Sequence, residues 1–208
     1  MPDRKDDMSI APLADVEPIP DWAIPPIEGF TADDLDRLPG IPPHTELIDG
    51  TLVFVSPQTR FHALVLFLLH KELDRTIPAH LRVEQEMTVK LGRRQRPEPD
   101  LVILHAHAPT EMTRTFYEAA DVLLAVEVVS EESEERDRNR KPQMYAEAGI
   151  PHFWRVENIE GRPSVHVHEL NPVTRAYALT GVHQNRLKLS LPYDIDIDLT
   201  DITDPRGR

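Results

Sequence analysis

Acidic residues and one lysine, spread over three segments, carry the chemistry this chain could do. Glu98-Pro99-Asp100 opens an apolar run, Glu127 sits inside another, and Lys141 falls in the helical stretch that follows. Side chains alternate along a strand, so Glu98 and Asp100 share one face if that segment is extended, and Glu127 shares a face with Ala125 and Val129. Two such strands side by side present converging carboxylates. A hard divalent cation such as Mg²⁺ takes one or two ligands of this kind and leaves its other positions to water and substrate phosphate. The cation polarises a phosphate and lowers the pKa of a bound water, so the chemistry implied is metal-dependent phosphodiester hydrolysis. Asp100 and Glu127 are the candidate ligands, and the backbone carbonyl of Val128 is a third oxygen that a hard cation accepts. The simplest strand-borne arrangement puts a lysine two residues beyond the glutamate, where this chain has Val129. Lys141 is the substitute, because Asp137, Lys141 and Tyr145 recur every four residues and share a helical face. The same spacing also describes an Asp137–Lys141 surface ion pair, worth only about 0.3–0.5 kcal/mol.

Composition narrows the alternatives. With no cysteine there are no disulfides, thiolate zinc sites or cysteine nucleophiles, which suits a cytoplasmic protein. The longest apolar stretch, near Ala63 to Leu69, is far shorter than the roughly 20 residues of a membrane span, and no secretory signal opens the chain. The formal charge of −13 argues against tight nonspecific binding to a polyanion. That charge is unevenly spread: Lys90, Arg93, Arg94 and Arg96 precede the Glu98/Asp100 pair, and Arg136, Arg138, Arg140 and Lys141 follow Glu127. His105/His107 and His166/His168 have a possible metal spacing, but with no thiolate and no nearby capping carboxylate the signal is weak and cross-strand or exposed histidines are the favoured reading. Ser56 and Ser130 lack the Gly-x-Ser-x-Gly setting of a hydrolase nucleophile, and His62 is expected to bond within its own helix N-terminus. Trp22 and Trp154 read as packing anchors.

The elements that must position these residues are legible in outline. Residues 1–27, rich in proline and acid, read as a flexible arm, residues 28–200 as a single domain, and 201–208 as a tail. Thr31 caps a short helix ending by Leu38, and Asp49-Gly50 joins strands Thr45 to Ile48 and Thr51 to Val55 in a hairpin. A core helix spans Thr59 to Ile77, closed by Pro78, and a second helix runs from Glu134 to Ala148, capped by Ser133 and ended by Gly149. Leu81 to Leu91, Asp100 to His105, Ala120 to Val129, His152 to Val156, Ser164 to Leu170, Arg175 to Leu179 and Arg186 to Leu189 read as strands. The fold class expected is α/β or α+β, with a central mixed sheet flanked by helices.

Glu46-Leu47-Ile48-Asp49-Gly50, Val55-Ser56-Pro57, His62, Pro99-Asp100-Leu101, Val126-Glu127-Val128-Val129-Ser130, Asp137-Arg138 through Lys141, Tyr145, Ala148-Gly149-Ile150-Pro151 and Phe153-Trp154 occur in an order that resembles the Uma-two-type restriction endonuclease family. That family is a branch of the PD-(D/E)XK nuclease superfamily, and the resemblance spans roughly Phe30 to Val156. It implies a restriction-endonuclease-like core with Mg²⁺ or Mn²⁺ at Asp100 and Glu127, with Lys141 as a lysine moved into the following helix and Glu46 as an acidic position near the site.

The expectation is therefore a DNA-cleaving, Mg²⁺-dependent endonuclease, working as a homodimer, in which Lys141 orients or helps deprotonate the attacking water and Glu46 assists. Two rivals remain: a catalytically inactive binding or regulatory protein on the nuclease fold, which the −13 charge favours, and a phosphohydrolase of small nucleotides.

Overall fold

A computed structural model describes residues 20–203. The expected arm is therefore described only from residue 20 and the expected tail only to residue 203.

Twelve strands, two α-helices and short 3-10 turns make up the described part. The hairpin pairs β1 (Thr45–Ile48) with β2 (Thr51–Phe54), as its turn residues predict. Asp49 and Gly50 both take positive φ, 53° and 79°, the conformation a two-residue hairpin turn demands. Helix α1 (Arg60–Thr76) starts where Thr59 accepts the His62 backbone N–H at 3.2 Å, and stops before Pro78. The strand expected over Leu81 to Leu91 is two strands, β3 (Leu81–Gln85) and β4 (Thr88–Lys90), because Glu86 between them has φ 53°. Then come β5 (Leu101–His105), β6 (Phe116–Glu118) and β7 (Val122–Val128). The second helix is not regular: a π-helical segment, Arg136–Arg140, feeds α2 (Lys141–Ala148), which Gly149 ends at φ 87°. β8 (His152–Ile159), β9 (Arg162–Asn171), β10 (Ala176–His183), β11 (Arg186–Leu189) and β12 (Ile195–Asp198) complete the strands.

Six strands form the central sheet in the order β10-β9-β8-β7-β5-β3. Only β7 and β8 run parallel, joined through α2; the other neighbours are antiparallel. The sheet is mixed and covered on both faces, which is the expected architecture. On one face Val65, Leu69 and Leu73 of α1 pack with Leu101, Ile103, Val126 and Trp154, closed by β11, β12 and the 3-10 turn Leu199–Thr203. On the other, Tyr145 of α2 packs with Val102, Leu104, Ala125 and Phe153. β5 and β7 are thus buried on both sides, which is why their sequences are nearly continuous in apolar residues. Each such side chain removed from water contributes roughly 1.5–3 kcal/mol, so these two strands are a rigid floor for whatever stands at their ends.

Candidate active site

Alternation along β7 turns Val126 and Val128 toward α1, and therefore turns Glu127 toward α2. The β5–β7 register pairs Leu101 with Val126 and Val102 with Ala125, so one step further brings Asp100 opposite Glu127. The two expected ligands meet at the same end of the sheet. Asp100 Oδ2 accepts the Val128 backbone N–H at 2.6 Å, and Oδ1 is bonded to His62 Nε2 at 2.8 Å.

Lys141 sits in the first turn of α2 and extends across to Glu127, with Nζ 2.9 Å from Oε2. It also lies 2.8 Å from Glu46 Oε1 on β1 and 3.3 Å from Asp137 Oδ1, the last an ionic contact without hydrogen-bond alignment. Tyr145, one turn along α2, donates its hydroxyl to Glu127 Oε1 at 2.5 Å. The i, i+4, i+8 spacing of Asp137, Lys141 and Tyr145 thus reports an inward face, and the alternative of a surface ion pair is replaced by a cluster in which Glu46, Glu127, Asp137 and Lys141 are all buried. Ser133 fixes Asp137 through its hydroxyl, while Glu46 Oε1 also accepts the Glu98 backbone N–H at 2.8 Å. Glu98 in turn pairs with His44 Nδ1 at 2.5 Å.

Electrostatics follow from the excess of acid. Burial pushes the Glu127 carboxyl well above its ordinary range; Lys141 opposes this, while Asp137, Asp100 and Glu46 reinforce it. Burial would by itself lower the Lys141 pKa, but the carboxylates around it, Glu127 and Glu46 foremost, raise it well above the usual lysine range. Lys141 is a fixed cation. Burial and the same acids hold the Tyr145 phenol protonated, as a donor. For His62, burial pulls downward, yet the Asp100 carboxylate and the more distant Glu86 and Asp137 produce a net rise.

These side chains line a cavity of about 330 Å³ bounded by Glu46, Glu86, Glu98, Asp100, Glu127 and Asp137, with Ser56, Gln58, Ser130 and Arg136 along its other wall. The donor set fits a hard divalent cation in type and charge, since all are oxygen ligands and their negative charge exceeds what Lys141 offsets. Among the described residues, no three His, Asp or Glu side chains already converge at metal-holding distances. Glu127 is held by Lys141 and Tyr145, and Asp100 by His62 and the Val128 amide. Asp100 is the more accessible of the two, its side chain 14% exposed against 2% for Glu127.

The family described as "Uma2: Putative restriction endonuclease" matches residues 32–200. The chain belongs to the Uma2 family. A solved structure titled as a putative nuclease belonging to DUF820, from Anabaena variabilis ATCC 29413, shares the fold at a TM-score of 0.64. It is 15% identical, and the match covers 83% of this chain and 97% of that one. No curated protein matches the chain.

In this Uma2 chain the sequence-derived residues Glu46, Asp100, Glu127 and Lys141 come together with Val128, whose amide rather than its carbonyl is seen to serve Asp100. His62 was expected to bond locally at its helix N-terminus; its backbone N–H does so with Thr59, while its ring goes to Asp100. Tyr145 and Asp137 were visible in the helical spacing. Ser133 and Arg136 at the cavity were not singled out as site residues, and only folding brings them there, while Glu98, grouped with Asp100 in the sequence, lines it as well. The histidine pairs stay outside: His105 and His107 stack at 5.2 Å between centroids, and His166 and His168 lie along β9.

Proposed function

We propose that this Uma2 protein is a Mg²⁺- or Mn²⁺-dependent endonuclease that hydrolyses phosphodiester bonds of DNA. One observation carries the reading: Lys141 reaches the Glu127 carboxylate from a separate element, at the point where Asp100 of the neighbouring strand end stands opposite. This supports the compensation expected for a chain with Val129 at the strand position where a lysine would otherwise stand. Asp100 and Glu127 would hold the cation, with the Val128 carbonyl as a further oxygen. The cation, when bound, supplies polarisation of the phosphate and a more acidic water.

The chain's own residues do the rest. The Val128 amide and His62 orient Asp100, and the Tyr145 hydroxyl orients Glu127. Lys141, held protonated, acts as a donor and fixed positive charge toward water or phosphate oxygen rather than as a base. Glu46 anchors that ammonium and ties it to the Glu98 segment. In this reading the enzyme is cytoplasmic and pairs as a two-fold homodimer, since one site cuts one strand.

Plasmid cleavage with Mg²⁺ or Mn²⁺ tests the proposal, together with Mn²⁺ titration by calorimetry. Wild type should cut and bind; Asp100→Asn should lose both with its thermal melt preserved. Light scattering that returns a monomer would remove the dimer. The engaged oxygens of Asp100 and Glu127, with the −13 charge, favour a second reading as a noncatalytic nuclease-fold binding protein. Absence of Mn²⁺ binding by the wild type would select it.

A further inference from the structure

A phosphodiester entering a cavity walled by carboxylates needs a cation that is not already committed. Lys141 is committed, enclosed by Glu46, Glu127 and Asp137 with its side chain 5% exposed. Among the described residues, the other arginine or lysine on the cavity wall is Arg136, whose side chain is 24% exposed. Its neighbours in the helix show what a satisfied guanidinium looks like. Arg138 gives both Nε and Nη2 to Glu157, and Arg140 gives the same edge to Asp49. Arg136 presents that edge half-filled: Nη2 donates to Glu132 Oε1 at 3.1 Å, while Nε is buried with no hydrogen-bond partner among the described residues. Leaving a buried donor unmatched is unfavourable, so this arrangement gains when a second acceptor arrives. A phosphate oxygen pair suits the fork of an arginine as well as a carboxylate does.

Glu132 is the present occupant of the other half. Its Oε2 accepts the Ser56 backbone N–H at 3.2 Å, so it ties the loop before α1 to the loop after β7 across the cavity rim. Arg136 itself stands in the π-helical segment, whose extra residue per turn alters the direction of the side chains it carries. We propose that Arg136 is the phosphate anchor of the site, taking the nonbridging oxygens of a nucleic-acid phosphodiester on its Nε and Nη2 and displacing Glu132, whose carboxylate holds one half of that fork. This rests on the nuclease reading above for its ligand, and on the half-filled fork for its residue.

The test is anisotropy of a fluorescein-labelled DNA duplex, titrated in EDTA across a series of salt concentrations, beside steady-state cleavage in Mn²⁺. Arg136→Ala should weaken binding about tenfold and reduce the slope of log K against log salt by about one unit, the signature of one lost phosphate contact. Arg136→Lys should recover part of the slope, since the charge stays and the fork does not. Glu132→Gln should tighten binding by removing the competing carboxylate. An unchanged salt slope in Arg136→Ala, or a wild type that does not bind the duplex, overturns the anchor. Cutting with an unaltered KM in Arg136→Ala also sinks the anchor and leaves the nuclease reading standing; Arg136-dependent binding without any cutting sinks the nuclease reading and leaves the anchor.

Discussion

The Lys141 ammonium lies 2.8 Å from Glu46 Oε1, joining the start of α2 to the N-terminal hairpin through the interior of the protein. Both side chains are nearly excluded from water, and Glu127 and Asp137 complete the enclosure. The contact ties together the segments that carry the candidate chemistry. It also leaves the buried acids Glu46, Glu127 and Asp137 dependent on the Lys141 ammonium for charge compensation.

Lys141→Met therefore tests fold and function together. Truncating one partner of a buried ion cluster leaves the remaining charges uncompensated and costs about 3–5 kcal/mol, far above a surface pair. Urea unfolding should show that loss, and cleavage should vanish. A drop of under about 1 kcal/mol would mean that Lys141 is solvated like an ordinary surface residue.

Tyr145→Phe asks a narrower question. The ring keeps its packing against Phe153, 5.8 Å between centroids, while Glu127 Oε1 loses its phenolic donor. A buried acceptor left with one partner fewer costs about 1–2 kcal/mol. The expected result is a chemical-denaturation midpoint shifted down with an unchanged slope, and reduced cleavage because Glu127 is less firmly oriented. Wild-type stability would show that another donor takes the hydroxyl's place.

How much of this was legible depended on range. Local chemistry was: Asp49-Gly50 demands positive φ, so the hairpin followed, and Pro78 and Gly149 ended their helices where expected. Strand parity turned Glu127 and Asp100 each to one face, but no sequence pattern states which strands are neighbours, so their meeting came from the family resemblance and the β5–β7 register. β6 was missed because its three residues pair in parallel with β4, a partner distant in the chain. The π-helical segment left no trace, since apolar periodicity cannot distinguish one extra residue in a turn rich in arginine. His62 illustrates the same limit: its backbone behaved as the local rule says, while its ring answered to Asp100 across the fold.

Arg96, read from sequence as part of a basic loop, is buried and organises the segment that leads to Glu98. It donates to Asp36 through Nη1 and Nη2 at 2.7 and 2.9 Å, to Thr88 at 2.8 Å and to the Ala32 carbonyl at 2.9 Å, over the Phe116 ring. Its backbone exchanges two hydrogen bonds with Leu47, beside Glu46. Arg96→Met should destabilise by about 3 kcal/mol, because Asp36 and the buried acceptors lose their shared donor. Arg96→Lys should recover little, one ammonium being unable to reproduce the fork. Thermal melts of the two variants check both statements; a lysine variant as stable as wild type would contradict them.

Acid titration isolates the clamp outside the cavity. Asp49, at the hairpin tip, receives Nε and Nη2 of Arg140 at 2.8 and 2.5 Å and the Gln95 amide at 2.6 Å, so it links β1 to the residue preceding Lys141 and to the loop before Glu98. Arg140 above all, then Gln95, outweigh partial burial and hold its carboxyl down at about 2. A carboxylate depressed on folding contributes stability that is present above its unfolded pKa, about 3.9, and is lost as pH falls through the folded value. Asp49→Asn keeps a residue that tolerates the positive φ and removes the titration. The melting temperature of wild type should therefore exceed that of Asp49→Asn at about pH 5, with the gap closing between about pH 4 and pH 2. Both members of the pair are partly solvated, so added salt should narrow the gap as well. A gap that stays constant from about pH 5 to pH 2 would assign the clamp to hydrogen bonding alone and deny the carboxylate charge a part in it.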